Sequence, residues 1–280
     1  MSGKIKIFGN PLNHSISPRM QTYFANSCNI SNFSYLKCEV KNNFFKILND
    51  FFCQDFGVGC NITAPYKKDS YLYIKEVNPS GLSFNAEQAK SCNTIYRLNG
   101  HLYGDTTDGT GLLSDLKRLG ILKVGDKVLI LGAGGVVSSI LSTLSFLNLD
   151  ILLVNRNYSK VRNLGIQFNV SFDAIDNLKN IKTKFDLVIN CISTKDADFY
   201  EGIVSHLYFQ SNFFYDVQYL LYGLTPFLKS LKNKGVSDNV LFDGYGMLIF
   251  QGVESFKRWF NLTPEYKPLL KNRKLLLALK

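Results

Sequence analysis

Apolar residues in this chain fall into two recurring patterns. Short runs such as Lys127-Val-Leu-Ile-Leu131 and Asp150-Ile-Leu-Leu-Val154 are apolar almost throughout, as strands covered on both faces of a parallel sheet require. Between such runs lie longer stretches with apolar residues at helical spacing. The pattern predicts strands over 4–8, 33–40 and 57–62, alternating with helices from Pro18 to about Asn26 and from about Asn43 to Cys53. A second series starts near Asp108: a helix over 110–119, a strand over 127–131, a helix over 136–147, and strands over 151–154, 187–189 and 213–217. This order is that of right-handed βαβ crossovers. Residues 246–260 read as one amphipathic helix, with Leu248, Val253, Phe256 and Phe260 close to helical spacing. The predicted fold is α/β with two domains. Residues 1–107 plus 244–280 form an N-terminal α/β substrate domain, 108–243 a Rossmann-type parallel-sheet cofactor domain, and the C-terminal helix packs back on the first domain.

A glycine-rich turn punctuates the second series. The strand ending at Leu131 runs into Gly132-Ala133-Gly134-Gly135 and then an apolar helix. Without a Cβ at Gly132 and Gly134 the backbone can approach a pyrophosphate, and the amides opening the next helix supply donors for that anion. The third glycine position of the usual fingerprint is Val137. About 20 residues on, where an NAD site places a carboxylate on the ribose, this chain has Asn155-Arg156 and, one turn later, Lys160. A guanidinium fork suits a 2′-phosphate, so the expected cofactor is NADP(H). The competing reading is a solvated basic loop after a strand.

Composition narrows the classes. At 280 residues, with 46% hydrophobic and 19% charged residues, the chain is globular and long enough for two domains. It begins in a strand with no signal-like apolar region, and no apolar run reaches 18 residues, so a cytoplasmic protein without membrane association is expected. Six cysteines show neither Cys-x-x-Cys pairs nor histidines at metal spacing, so no metal is expected. The net charge of +10 is spread along the chain rather than gathered in a basic stripe. It reads as a solvated surface attractive to anionic small molecules, with no nucleic-acid partner. A monomer or homodimer is expected.

Three polar clusters precede the glycine turn. In Asn61-Ile-Thr63-Ala-Pro65-Tyr-Lys67, Pro65 breaks the strand ladder and Lys67 lies beyond a strand's carboxyl end, where open α/β sheets bind ligands; alone, Lys67 reads equally as a surface lysine. In Gly104-Asp105-Thr106-Thr107-Asp108-Gly109, Asp108 suits either catalysis or a helix N-cap. In His14-Ser15-Ile-Ser17-Pro18, Ser17 suits the cap of a helix begun by Pro18, and with Ser15 it offers hydroxyls to a carboxylate.

Taken in order, these segments resemble the shikimate dehydrogenases. The resemblance runs through Gly9-Asn-Pro-Leu-Asn-His-Ser15-Ile-Ser17-Pro18, Asn61-x-Thr63-x-Pro65-x-Lys67, Cys92-Asn93-Thr94, the 104–109 cluster, Gly132-Ala133-Gly134-Gly135 and Asn155-Arg156. It continues in Asp216-Val-Gln-Tyr219, Thr225-Pro-Phe-Leu228 and Gly244-Tyr-Gly-Met247-Leu-Ile-Phe-Gln251. It implies a reversible NADPH-dependent reduction of 3-dehydroshikimate to shikimate in aromatic amino acid (chorismate) biosynthesis. It further implies that Ser15, Ser17 and Tyr219 hold the substrate carboxylate, that Asn61, Thr63, Asn93, Asp108 and Gln251 read the ring hydroxyls, and that Lys67 and Asp108 form the catalytic pair. Gly132, Ala133, Gly134, Gly135 and Val136 with Asn155, Arg156 and Lys160 would bind the cofactor's phosphates and adenosine, and Val217 and Gly244 would line its nicotinamide end.

Elementary chemistry is consistent with these roles. Reducing a ketone needs a hydride and a proton for the developing alkoxide, and an ammonium beside a carboxylate supplies the second. The three histidines, His14, His101 and His206, form no arrangement with the glycine turn. The chain departs from the family pattern at Thr106, at Ile192, at Lys195-Asp196 and in the spacing from Tyr219 to Thr225. A quinate- or NAD-using relative and a non-catalytic dinucleotide-binding regulator are the alternative readings.

Overall fold

The structure is a computed structural model describing residues 2–53, 57–194, 196–207 and 211–278; Lys195 lies outside the described residues. The chain divides into two compact units, Met1–Gly111 with Leu248–Lys280, and Leu112–Met247. The boundaries expected at 107/108 and 243/244 each lie four residues earlier. The physical reason for the difference is that each crossover falls inside a continuous helix, so no loop marks it.

The first unit contains β1 (Ser2–Gly9), α1 (Ser17–Ser27), β2 (Asn32–Glu39), α2 (Phe44–Cys53), β3 (Gly59–Ile62), α3 (Lys67–Val77), α4 (Phe84–Ala89), β4 (Thr94–Leu98) and β5 (His101–Asp105). Its sheet runs β2-β1-β3-β4-β5. β1 pairs in parallel with β2 and β3, whereas β3–β4 and β4–β5 are antiparallel. On α2 the buried residues Phe44, Leu48, Phe51 and Phe52 follow one helical stripe. They pack with Phe8, Ile62, Ile74 and Ile95 into one core. The hairpin β4–β5 was not predicted from periodicity. Its turn is Asn99-Gly100, both at positive φ (50° and 82°), as a two-residue hairpin loop requires.

α5 (Asp108–Leu119) leads into the second unit, which holds β6 (Lys127–Leu131), α6 (Gly135–Leu144), β7 (Asp150–Asn155), α7 (Tyr158–Phe168), β8 (Ser171–Ala174), β9 (Phe185–Asn190), α8 (Ala197–Leu207), β10 (Ser211–Asp216), α9 (Pro226–Asn233) and β11 (Leu241–Asp243). Its six strands are all parallel in the order β11-β10-β9-β6-β7-β8. The strand order reverses at β6, and ligands of such sheets bind outside the carboxyl ends at that point. Asp216 closes the loop that leaves β10. It is fully buried; its Oδ1 accepts from Asn190 Nδ2 (3.0 Å) and the Gln218 N–H (3.1 Å), and its Oδ2 from Thr225 Oγ1 (2.6 Å).

α10 (Tyr245–Phe260) carries the chain back, followed by α11 (Lys267–Lys271) and α12 (Leu275–Ala278). Its second half packs on the first unit as expected. Phe256 meets Phe24 edge-on at 6.0 Å, and Trp259 donates its indole N–H to the Ile95 carbonyl at 3.0 Å. The indole lies directly over Gly59, where an added Cβ would fall 2.2 Å from Trp259 Cδ1.

Two outcomes follow for stability. Gly59→Ala forces the buried indole out of its bond with Ile95 and costs about 1–3 kcal/mol of folding stability, read by chemical denaturation, with altered emission from the only tryptophan. For Asp216, burial pushes the carboxyl up to about 7 from an ordinary 3.8, and the nearby Asp243 adds to this. The folded state therefore binds a proton that the unfolded chain has released. This group's contribution is complete below about pH 4 and is lost as pH rises through 7. Asp216→Asn should flatten that segment of the stability–pH curve; an unchanged slope would contradict the assignment.

Candidate functional site

In the first unit, β3 ends at Ile62 and the chain turns through Pro65 so that Lys67 opens α3. Asp108 opens α5 a few residues after β5 ends. The Lys67 ammonium donates to Asp108 Oδ2 at 2.6 Å, with side chains only 18% and 10% exposed. Lys67 is thus neither a free surface lysine nor remote from Asp108, and both belong to the same compact unit. Asp108's other oxygen accepts from Asn93 Nδ2 at 2.9 Å. Asn93 is itself fixed, its Oδ1 accepting from the Thr107 N–H (2.9 Å) and Thr94 Oγ1 (3.0 Å). Three loops therefore converge on one carboxylate.

The turn before Asp108 is anchored by Asp105. Its carboxylate accepts from the Thr106 N–H (2.7 Å), Arg258 Nε (2.8 Å) and the Ser83 hydroxyl. The departure at Thr106 is a buried side chain in this anchored turn.

Asn61, expected to read substrate, has both polar atoms of its side chain hydrogen-bonded within the protein. Its Oδ1 accepts from Tyr35 OH (2.8 Å), and its Nδ2 donates to the Asn93 carbonyl (3.1 Å), Thr94 Oγ1 (3.2 Å) and Ser255 Oγ (3.0 Å). At 7% exposure it is a brace between β3 and the segment that leads into β4. Tyr35 and Ser255 were missed in the sequence. Burial pushes the Tyr35 phenol well above its ordinary range, so it remains a donor. Ser255 lies four residues after Gln251 on α10 and donates to the Gln251 carbonyl at 3.0 Å, a helical spacing that would have revealed it.

Four further expected substrate positions, Ser15, Ser17, Thr63 and Gln251, lie in the same unit. Ser15 is half-buried and Ser17 buried at the start of α1. Ser17 does not cap the helix with its side chain: the cap position is Ile16, and Ser15 Oγ accepts the Ser17 N–H at 3.4 Å. The reason is that the helix begins one residue earlier than Pro18 suggests, which brings Ser17 inside it. Thr63 follows β3, its N–H bonded to the Phe8 carbonyl (2.8 Å). Gln251 donates to the Leu248 carbonyl of its own helix (2.8 Å).

In the second unit Gly132 has φ +117°, and a Cβ there would meet the Cys191 backbone at 3.2 Å. Ala133 follows. Space at Gly134 and Gly135 is open to 4 Å. Gly134 is the N-cap of α6, so the amides of Gly135 and Val136 open the helix without intrahelical acceptors. This cradle fits a pyrophosphate. Val137, in the third glycine position, is fully buried against the sheet. Asn155 ends β7 and donates to the Asn157 carbonyl (3.3 Å), while Asn157 caps α7 by accepting the Lys160 N–H (3.0 Å). Arg156 and Lys160 are exposed, and among the described residues neither forms an ion pair.

Val217 and Gly244 are brought together. A Cβ at Gly244 would fall 2.1 Å from the Val217 carbonyl oxygen, and the Gly244 N–H donates to Gln218 O at 2.9 Å. Tyr219 meets Tyr245 edge-on at 6.2 Å, and burial pushes its phenol up to about 12. Ile192, a departure from the family pattern, is buried, and its carbonyl accepts from Tyr200 OH (2.6 Å) and Gln218 Nε2 (2.7 Å). Among the described residues no cluster of three or more His, Cys, Asp or Glu could hold a metal ion, and no helix is long and apolar enough to cross a membrane.

Residues 7–95 match the family model of the shikimate dehydrogenase substrate binding domain, 117–218 that of shikimate / quinate 5-dehydrogenase, and 244–271 that of the shikimate 5′-dehydrogenase C-terminal domain. The chain is 37% identical over 282 residues to the shikimate dehydrogenase (NADP(+)) of Histophilus somni strain 2336, covering 97% of this chain and 98% of that one. It is 35% identical over 262 residues to that of Buchnera aphidicola subsp. Schizaphis graminum, covering 92% of each. Among solved structures, the shikimate dehydrogenase of Aquifex aeolicus aligns with a TM-score of 0.80 at 25% identity, covering 96% and 97% of the two chains. With a paired lysine and aspartate, a phosphate-type glycine turn and near-full-length relatives at these identities, the chain belongs to the shikimate dehydrogenase family.

Proposed function

We propose that this chain catalyses the reversible NADP(H)-dependent interconversion of 3-dehydroshikimate and shikimate, with Lys67 as proton donor to the ketone oxygen and Asp108 as its orienting partner. The observation that carries the reading is the 2.6 Å Lys67–Asp108 contact, with Asn93 holding the far oxygen of the carboxylate. NADPH supplies the hydride when bound. The protein's own task is the proton and the charge. As the carbonyl oxygen gains negative charge, the Lys67 ammonium stabilises it and then gives up a proton; in the reverse direction the amine takes that proton back. Asp108, with each oxygen committed to one donor, fixes where the ammonium sits.

The hydroxyls of Ser15 and Ser17 at the start of α1 suit the substrate carboxylate, and the side chains of Thr63, Asn93 and Gln251 suit its ring hydroxyls. Asn61 supports them from behind, given its internal bonds. In the second unit the 132–136 turn suits the pyrophosphate, and Asn155, Arg156 and Lys160 suit the 2′-phosphate. Six free cysteines are consistent with a reducing, cytoplasmic setting.

Lys67→Ala should lower kcat by about 100- to 10,000-fold while KM for shikimate changes far less; unchanged kcat would exclude Lys67 as the proton donor. Initial rates with shikimate and quinate, each against NADP and NAD, should give the highest kcat/KM for shikimate with NADP. A preference for quinate or for NAD would move the chain to the other branch of its family.

A further inference from the structure

The Arg156 guanidinium lies over the Phe199 ring, its central carbon 4.7 Å from the ring centroid. Phe199 stands in the first turn of α8, more than forty residues away in sequence. Below, it is wedged against the core of the second unit and meets the buried Tyr200 edge-on at 5.6 Å. Tyr200 is pinned in turn by its bond to the Ile192 carbonyl and by Phe227, 5.7 Å away. The ring is thus a fixed platform. Beside it lies a groove of about 560 Å³ whose lining includes Arg156, Phe199, Asp176, Lys179, Asp198 and His206. Two carboxylates line this groove, yet among the described residues Arg156 pairs with neither.

An exposed arginine samples many rotamers, and fixing one costs entropy on binding. A carboxylate partner would remove that cost but would also neutralise the guanidinium and repel a phosphate. An aromatic face holds the plane while leaving charge and edge N–H groups for an anion. We infer that Phe199 is a positioning residue that sets cofactor selectivity, holding Arg156 ready for the 2′-phosphate that distinguishes NADP(H) from NAD(H). The inference rests on the reading of Arg156 given under Proposed function.

The test is calorimetric titration of the full chain with adenosine 2′,5′-bisphosphate and with 5′-AMP. Phe199→Leu should weaken the bisphosphate by about two- to fivefold, the range of an exposed cation–π contact, and leave 5′-AMP within experimental scatter. Phe199→Tyr, which keeps the ring, should behave as the parent chain, and Phe199→Met serves as the ring-free variant if the leucine variant does not fold. Equal weakening of both ligands, or of neither, would overturn the inference. Arg156→Ala separates the two readings. If it abolishes discrimination while Phe199→Leu leaves the affinity for the bisphosphate unchanged, only the role of Phe199 falls; if it leaves discrimination intact, the reading of Arg156 falls with it.

Discussion

A lysine ammonium in contact with a largely buried carboxylate is stable only when the remaining hydrogen-bonding capacity of both groups is met, because removing charge from water costs several kcal/mol per ion. In this protein that condition shapes the first unit. Asp108 has one oxygen on Lys67 and the other on Asn93, and Asn93 is locked by Thr94 and Thr107. Behind them Asn61 joins Tyr35, the Asn93 carbonyl and Ser255. The ends of β3, β4 and β5 and the face of α10 are held in register by the same set of side chains that orients the pair.

The second unit solves a different problem, the close approach of one backbone segment to another at the end of its sheet. A side chain at Gly132 would be strained and crowded by Cys191, and one at Gly244 would strike Val217. Close backbone packing at these two points shapes the sheet's carboxyl end. Asp216 performs there what Asn93 and Asn61 do in the first unit. As a fully buried polar group with every partner drawn from a loop or strand end, it fixes the segment bearing Val217 and Tyr219.

Elements with strong local signals were legible. Continuous apolar runs marked β6 and β7, the α2 stripe marked a helix, and the glycine turn lies where strand and helix meet, within a residue or two of expectation. The elements between Lys67 and Gly104 were not legible, although Asn99-Gly100 is a strong hairpin signal, because the flanking strands mix tyrosine, arginine and histidine and lack clean alternation. The unit boundaries were displaced for another reason: a helix that runs through a boundary keeps its periodicity and leaves no composition shift.

By itself the sequence determined which residues were available for chemistry, because motif order depends on residue type and spacing alone: Lys67, Asp108, Asn93, the glycine turn and Asn155-Arg156. Tertiary structure decided what those residues touch. It made Asn61 a brace between neighbouring segments and placed Asp108 in the same unit as Lys67. It also brought Tyr35 and Ser255 to Asn61, and Phe199 beneath Arg156. Those contacts join residues tens to nearly two hundred positions apart, and they are set by strand register and helix packing, which no local pattern of residues encodes.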